Sequence, residues 1–228
     1  MMSLVDEGIE LDRHYVYMFC SPSRSAVQSG RNPIHVNTVN CAPDVRNPND
    51  TVSGYAGIPR NMTGVAELML SAGYETHAYG KWDAGMATPQ HTPMGRGYQN
   101  SLVYFHHVND AWNMVAYQAR CSGQDVIDLW SNDGPAHGLN NSHWCTQENQ
   151  TGCLYEDQLF ANRVMAAIQH KDPHKPFFIF WAPRIVHSPL QVPQRELDRF
   201  SFIDDRARQI YHAMVFDFSR TLVACLTY

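Results

Sequence analysis

The sequence has 228 residues, which is enough for one α/β domain with a buried core, and 44% of them are hydrophobic. Seventeen lysines and arginines stand against 22 aspartates and glutamates, so the formal net charge is −5 at pH 7. No basic cluster suggests a nucleic-acid partner, and no apolar run is long enough to span a membrane. The composition therefore excludes both of these classes and leaves a globular enzyme or binding protein.

Two groups of sequence features give conflicting indications of the cellular compartment. The first ten residues are acidic and lack the apolar core of a signal peptide, which taken alone indicates a cytosolic protein. The chain also contains six cysteines and four Asn-x-Ser/Thr sequons, which favour an oxidising, secretory compartment and glycosylation. The sequon asparagines are Asn49, Asn61, Asn140 and Asn149.

An apolar and aromatic segment, residues 11–19, predicts a strand that leads directly into a helix. Pro22 suits the first turn of that helix, and Gly30 is placed to end it. Cys20 then lies at the helix N-terminus, where unpaired N–H groups and the positive end of the dipole favour an anion. Arg24 lies on the same helix face and can bind the same anion bidentately. An ordinary buried or disulfide-bonded cysteine is the alternative.

Residues 32–61 are rich in Pro, Asn, Asp and Gly and predict a long loop that contains Cys41. A disulfide partner for Cys41 is plausible but cannot be assigned from the spacing. Residues 62–72 predict a helix that ends at Gly73, and residues 74–79 predict a strand. A helix followed by a strand is one step of an α/β domain. The inward stripe of this helix is expected to comprise Val65, Leu68, Met69 and Ala72.

Lys81 directly follows the predicted strand and has a glycine on its N-terminal side, and Asp83 comes two residues later. Ligands gather at the carboxyl ends of strands in open α/β sheets. Lys81 and Asp83 are therefore candidate site residues. The alternative for Lys81 is a solvated surface lysine.

Residues 104–155 are rich in Asn, His, Gly and Cys and show little periodicity, so they predict a variable polar insertion at the surface. Their histidines and cysteines raise the alternative of zinc, but no Cys-x-x-Cys and no histidine pair at helical spacing occurs. A disulfide between Cys145 and Cys153 is the better-supported alternative. The residues weighed for zinc are His106, His107, His143, Cys121, Cys145 and Cys153.

Residues 156–171 predict an amphipathic helix, and residues 177–182 form a continuous apolar run typical of a buried parallel strand. His187 follows this strand, although a lone histidine is more often packed or on the surface than catalytic. A last helix is predicted from about Asp204. The inward-facing residues are expected to be Leu159, Phe160, Val164, Ala167 and Ile168 in the first helix, and Ile210, Met214, Val215, Phe218 and Leu222 in the last.

Four segments of the chain together resemble the type I sulfatase family. Residues 20–31 contain Cys-x-Pro-Ser-Arg followed by Ser-Gly-Arg, and residues 72–82 contain Ala-Gly-Tyr-x-Thr followed by Gly-Lys-Trp. Residues 93–98 resemble a structural turn of the family, Pro-x-x-Arg-Gly-Phe. Residues 176–193 contain Val-His-x-Pro-Leu-Gln-Val-Pro and are most similar to the arylsulfatase B group. The resemblance extends over nearly the whole chain.

The resemblance implies an α/β fold: an alkaline-phosphatase-like sulfatase domain with a mainly parallel sheet between helices. Residues 1–228 are then expected to be part of the N-terminal catalytic domain, incomplete at both ends. Exposed sheet edges should in that case make the isolated chain poorly soluble.

The activity that the resemblance implies is hydrolysis of sulfuric esters of small molecules or glycans. In the family, the cysteine matched by Cys20 is oxidised to formylglycine by the formylglycine-generating enzyme, and the hydrated aldehyde is the nucleophile. Arg24, Lys81 and His187 are implied to stabilise the negative charge that develops on the sulfate group. The implied location is lysosomal or extracellular, if the full-length protein has a signal peptide.

The sequence departs from the family in two respects. Asp83 stands where the family usually has histidine; a carboxylate can accept a proton, but it brings negative charge toward an anionic substrate. The family's calcium is bound by an Asp-Asp and an Asp-Asn pair that have no match here, which leaves Cys20, as formylglycine, as the expected metal ligand. We therefore expect this chain to be inactive alone. A non-catalytic protein that binds sulfated ligands is the alternative.

Overall fold

The computed structural model describes residues 2–38, 45–121, 123–139 and 144–226. The α-helices of this part are α1 (Met2–Glu7), α2 (Cys20–Ser29), α3 (Val65–Ser71), α4 (Glu156–Gln169), α5 (Gln194–Leu197) and α6 (Arg206–Leu226). The strands are β1 (Glu75–Lys81), β2 (Asn100–Tyr104), β3 (Val115–Cys121), β4 (Gln124–Ile127), β5 (Trp130–Ser131), β6 (Gly134–Pro135) and β7 (Phe177–Ala182). Short 3₁₀ helices cover Pro33–His35, Pro89–His91, Met94–Arg96 and Asp198–Phe200. Within the described ranges, no helix combines the length and the apolar character that crossing a membrane requires.

The main sheet has five strands in the order β6-β5-β2-β1-β7. β1 pairs in parallel with β2 on one side and with β7 on the other, whereas β5 pairs antiparallel with β2. The carboxyl ends of parallel strands meet at one edge of a sheet, so Lys81 and Ala182 end side by side. The prediction of a mainly parallel α/β sheet is confirmed.

Helices cover both faces of this sheet. Successive residues of a strand point to opposite faces, and Tyr79 packs in one apolar cluster while its neighbour Ala78 packs in another. The Tyr79 cluster contains Phe160 of α4 and Cys225 of α6, and the Ala78 cluster contains Ala66 of α3. The helices therefore form layers on either side of β1, as predicted.

The helix predicted over residues 62–72 is shorter than expected, and its predicted apolar stripe is only partly correct, since Val65 and Met69 are half-buried but Leu68 and Ala72 are exposed. Ala66 is its fully buried residue, whereas Leu68 is 60% exposed. The reason is a close approach of backbones, since a Cβ added at Gly97 would lie 2.6 Å from the backbone nitrogen of Glu67. The contact between α3 and the turn at Gly97 is therefore formed by small residues, and a search for large apolar side chains does not detect it.

Residues 11–19 do not form the predicted strand. In the described structure they pair with none of the main-sheet strands, and Tyr15, Val16 and Met18 are 85%, 67% and 78% exposed. An apolar segment becomes a strand only when a neighbouring strand binds its N–H and C=O groups. The chain instead runs without regular structure up to Phe19 and enters α2 at Cys20.

The prediction that residues 104–155 lie at the surface is wrong for part of the segment. Strand β5 joins the main sheet beside β2, and Trp112 and Met114 are buried. The carboxylate of Asp128 is also buried and accepts the backbone N–H groups of Phe105 and His106 at distances down to 2.9 and 2.7 Å. These buried groups come from turns and short strands, so they leave no periodic pattern in the sequence.

The predicted disulfide between Cys145 and Cys153 is present. Cys41 and His143 lie outside the described residues, so their predicted roles stay predictions. Over the described ranges, no group of three or more His, Cys, Asp and Glu side chains is arranged to bind a metal ion.

The C-terminal predictions are largely confirmed. Leu159, Phe160 and Val164 of α4 are buried as expected, and β7 is parallel to β1. The expectation that β7 is fully buried is wrong, because it lies at an edge of the main sheet and its side chains are mostly half-buried. In α6, Met214 is buried as predicted, but Val215 is 38% exposed.

His91 is a buried histidine next to the turn that follows β1. Its Nδ1 lies 2.8 Å from Oγ1 of Thr88, and its backbone oxygen accepts the indole N–H of Trp82 at 2.9 Å. Burial, together with the positive charge of Arg96, lowers the pKa of His91 from 6.5 to about 4. Between these pH values the unfolded chain binds more protons than the folded chain, so acidification through this window costs stability.

We expect His91→Asn to flatten this pH dependence, because asparagine can keep a contact with Thr88 and does not titrate. Urea unfolding of both proteins at several pH values between 6.5 and 4 measures the slopes. The exposed His170 provides the matched control, His170→Asn. Equal slopes for the wild type and His91→Asn would contradict the prediction.

Candidate active site

A cleft of about 490 Å³, which we call the Cys20 cleft, opens where β1 and β7 end. Four of the five predicted site residues lie in its wall, namely Cys20, Arg24, Lys81 and His187, and Asp83 does not. The structure therefore brings together residues from α2, from β1 and from the loop after β7. The complete wall consists of Tyr17, Met18, Phe19, Cys20, Ser23, Arg24, Val27, Lys81, Phe180, Ala182, Pro183, Arg184 and His187.

Cys20 is the first residue of α2, as predicted. Phe19 is extended, and the backbone N–H of Ser23 donates to the Phe19 oxygen at 3.2 Å to close the first turn. The Ser23 hydroxyl also donates to the backbone oxygen of Tyr17 at 2.8 Å. At the other end, Gly30 takes a left-handed conformation with φ of 66°, which ends the helix. Local hydrogen bonds thus fix the position of Cys20 at the helix N-terminus.

The Cys20 side chain is electrostatically coupled to His187. A hydrogen bond from His187 lowers the pKa of the Cys20 thiol to about 6; the positive charge of Lys81 acts in the same direction, and burial opposes both. The same hydrogen bond raises the pKa of His187. Nδ1 of His187 donates to the backbone oxygen of Ser188 at 2.7 Å, which leaves Nε2 for Cys20. The pair therefore favours a thiolate beside an imidazolium.

Lys81 is the last residue of β1 and its side chain is buried. Gly80 precedes it with φ of 100°, and a Cβ there would collide with the backbone oxygen of Ala182 on β7. Glycine is thus required for β7 to approach the Lys81 end of β1. Arg24 donates from Nη1 to the backbone oxygen of Lys81 at 2.8 Å. Arg24 therefore ties α2 to β1, in addition to lining the cleft.

Asp83 lies behind Lys81 rather than in the cleft. Its side chain is fully buried, and its Oδ2 is 3.3 Å from Nζ of Lys81 and 2.9 Å from Nδ1 of His107. Asp83 is thus buried and paired with Lys81 and does not line the cleft, although its negative charge still opposes ionisation of the Cys20 thiol and raises its pKa. The expected effect of Asp83 on an anionic substrate stays a prediction. Sequence reasoning weighed His107 only for zinc, and no spacing signal connects two residues that are 24 positions apart.

Arg184 was missed by the sequence reasoning. Its buried guanidinium donates to the backbone oxygens of Pro189 and Gln191 at 2.9 and 3.2 Å, and its Nε lies 3.6 Å from Oδ2 of Asp157. The other carboxylate oxygen of Asp157 accepts the backbone N–H of Arg184 at 2.6 Å. This ion pair fixes the loop that carries His187 and holds it against the cleft.

The described residues of the Cys20 cleft do not fit a calcium ion. Calcium prefers six to eight oxygen ligands, mostly from carboxylates. The groups around Cys20 include the basic side chains of Arg24, Lys81 and His187, and the nearby carboxylate of Asp83 is already paired with Lys81. The expected role of Cys20 as a metal ligand therefore stays a prediction.

Comparison with known proteins gives consistent matches. A family model described as "Sulfatase" matches residues 1–221. Arylsulfatase J of Mus musculus is 30% identical over 212 residues, which cover 93% of this chain and 32% of that protein. N-acetylgalactosamine-6-sulfatase of Homo sapiens is 26% identical over 176 residues, which cover 75% of this chain and 31% of that protein. The chain thus spans about a third of the length of these relatives.

Solved structures share the fold. The complex of Ps i-CgsB with k-i-k-neocarrahexaose has a TM-score of 0.70 and 22% identity, covering 92% of this chain and 44% of that one. A putative sulfatase from Bacteroides fragilis has a TM-score of 0.62 and 15% identity, covering 91% and 48%. These neighbours confirm the predicted alkaline-phosphatase-like α/β fold. With the family match over residues 1–221, they lead to one conclusion: the chain belongs to the sulfatase family.

Proposed function

We propose that this chain carries the nucleophile and the anion-binding groups of a sulfuric ester hydrolase, with Cys20 converted to formylglycine. The observation that supports the proposal best is the convergence of three elements on Cys20. Cys20 begins α2, Lys81 ends β1 and His187 follows β7, and all three line one cleft. A sulfate ester is an anion, and the basic side chains of Arg24, Lys81 and His187 line the same cleft as Cys20.

Each side chain has a separate role in this proposal. The formylglycine hydrate supplies one hydroxyl that attacks sulfur as the alcohol leaves, and a second whose deprotonation expels sulfate and restores the aldehyde. The Lys81 ammonium offsets the negative charge on the sulfate oxygens. His187 is bonded through Nδ1 to Ser188, so its Nε2 is oriented to exchange a proton with the group at position 20. Arg24 keeps the helix N-terminus close to Lys81.

We propose a sulfated glycan or a small sulfated molecule as the substrate. Support comes from relatives: one solved neighbour is bound to k-i-k-neocarrahexaose, and another to D-glucosamine-2-N,6-O-disulfate. We also propose a secretory location and maturation by the formylglycine-generating enzyme. The sequon residues Asn49, Asn61 and Asn149 are exposed, as glycosylation requires, and Asn140 lies outside the described residues.

The modification of Cys20 is directly testable. We expect protein secreted from a host that contains the formylglycine-generating enzyme to carry an aldehyde in place of the CH₂–SH group at position 20. Peptide mass spectrometry measures this, and the peptide with Cys225, which is also a free cysteine in the described structure, is the internal control. Because residues 1–228 are expected to be inactive by themselves, activity toward a chromogenic aryl sulfate is measured on the protein as its natural source produces it, and there it should fall to background in Cys20→Ala. An unmodified Cys20 thiol in such a host would refute the proposal.

A non-catalytic protein that binds sulfated ligands is the second candidate. It is favoured by the poor fit of the described cleft to calcium, because Arg24, Lys81 and His187 need no metal to bind an anion. This candidate predicts an unmodified thiol at Cys20 together with measurable sulfate binding. The inactivity of residues 1–228 by themselves stays a prediction.

A further inference from the structure

A carboxylate and an imidazole lie behind the Lys81 ammonium, out of contact with the Cys20 cleft. Oδ2 of Asp83 is 3.3 Å from Nζ of Lys81 and 2.9 Å from Nδ1 of His107. The exposed side-chain fractions are 3% for Lys81, 0% for Asp83 and 15% for His107. A single carboxylate oxygen is thus shared by an ammonium that lines the cleft and an imidazole that does not.

The direction of the hydrogen bond follows from chemistry. An ionised carboxylate only accepts hydrogen bonds, so Nδ1 of His107 carries the proton that it donates to Asp83. Among the residues that the structure describes, Oδ1 of Asp83 and Nε2 of His107 are buried without a hydrogen-bond partner. Asp83 also has φ of 48°, a left-handed conformation that is uncommon for a residue with a side chain. The carboxylate is therefore held by its backbone, by Lys81 and by His107.

We propose that His107 is a positioning residue for Lys81 and acts through Asp83. By donating to Oδ2, His107 holds the carboxylate in place and takes up part of its negative charge. The Lys81 ammonium then pairs with Asp83 loosely, at 3.3 Å, and keeps its positive charge available to an anion in the cleft. Without His107, Asp83 would pair more closely with Lys81 and draw the ammonium away from Cys20.

This inference rests on the proposed function, in which Lys81 binds the sulfate group. His107 does not line the cleft, so it is not expected to touch the substrate. A residue that merely fills space would be replaced without loss by an apolar side chain of similar size. A hydrogen-bond donor to Asp83 would be replaced only by another donor, and that difference separates the two roles.

The test compares His107→Leu with His107→Asn, whose amide N–H can take the place of Nδ1–H. We expect His107→Leu to weaken inorganic sulfate binding, measured by calorimetry, about tenfold, the loss of one hydrogen bond to a charged group. His107→Asn should retain the wild-type affinity within about twofold. In an Asp83→Asn background, His107→Leu should not weaken sulfate binding further, because the carboxylate charge that His107 holds in place is absent.

A second readout does not depend on sulfate. Acetylation of Lys81 by acetic anhydride, followed by peptide mass spectrometry, should be slower in His107→Leu than in the wild type, with the exposed Lys171 and Lys175 as references. His107→Asn should react like the wild type.

If the wild type binds no sulfate, the proposed function fails. If sulfate binding or the Lys81 rate is the same in His107→Leu as in the wild type, or if His107→Asn behaves like His107→Leu, the role of His107 is overturned.

Discussion

Replacing Lys81 by methionine should abolish sulfate binding and also lower the free energy of unfolding by about 3–5 kcal/mol, the usual cost of breaking a buried ion pair. The stability loss follows because Asp83 is fully buried and would keep its charge with His107 as its remaining partner. The binding loss follows because Lys81 lines the Cys20 cleft and its ammonium is the group that we propose to bind sulfate.

The double variant Lys81→Met/Asp83→Asn separates these two effects. Removing both charges leaves no stranded carboxylate, so most of the lost stability should return, while sulfate binding should stay absent. Urea unfolding and sulfate calorimetry measure the two quantities, and Lys175→Met at an exposed position is the matched control. A double variant as unstable as Lys81→Met would show that Asp83 is not the source of the loss.

Arg184→Met should destabilise the protein by a similar amount, about 3–5 kcal/mol. The change leaves Asp157 buried without its cation and removes the donors to the backbone oxygens of Pro189 and Gln191. Because the same loop carries His187, sulfate binding should weaken as well. The exposed Arg163 on α4 provides the matched control, Arg163→Met.

The double variant Asp157→Asn/Arg184→Met should recover only part of this loss. Neutralising Asp157 removes the stranded charge, but the backbone oxygens that Arg184 satisfied stay without donors. Chemical unfolding of the two single variants and the double variant gives the interaction energy directly. Additive effects of the two substitutions would contradict the assignment of Arg184 and Asp157 as a coupled pair.

The residues of the cleft that could be predicted are those fixed by local structure. Cys20 lies at a helix N-terminus because Phe19 is extended and the next turn is helical, and Lys81 ends a strand between recognisable boundaries. Such positions depend on a few neighbouring residues, which a sequence motif contains. His187 was predicted in the same way, from a motif directly after an apolar strand.

The residues that support the cleft could not be predicted, because their partners are distant in the sequence. Arg184 and Asp157 are 27 positions apart, and His107 and Asp83 are 24 positions apart. Buried polar pairs of this kind depend on how helices, strands and loops pack together, and no periodic pattern in the sequence indicates that packing. Segment 11–19 shows the same limit, since its composition favours a strand but the described sheet offers it no partner.

The hydrogen bond from Arg24 to the backbone of Lys81 has a mechanical consequence. It connects α2, which carries the nucleophile, to the strand residue that carries the cation, over a distance of 2.8 Å. A tilt or shift of α2 would therefore displace Cys20 and Lys81 in the same direction. The distance between Cys20 and Lys81 is therefore expected to stay constant when the exposed segment before Cys20 moves.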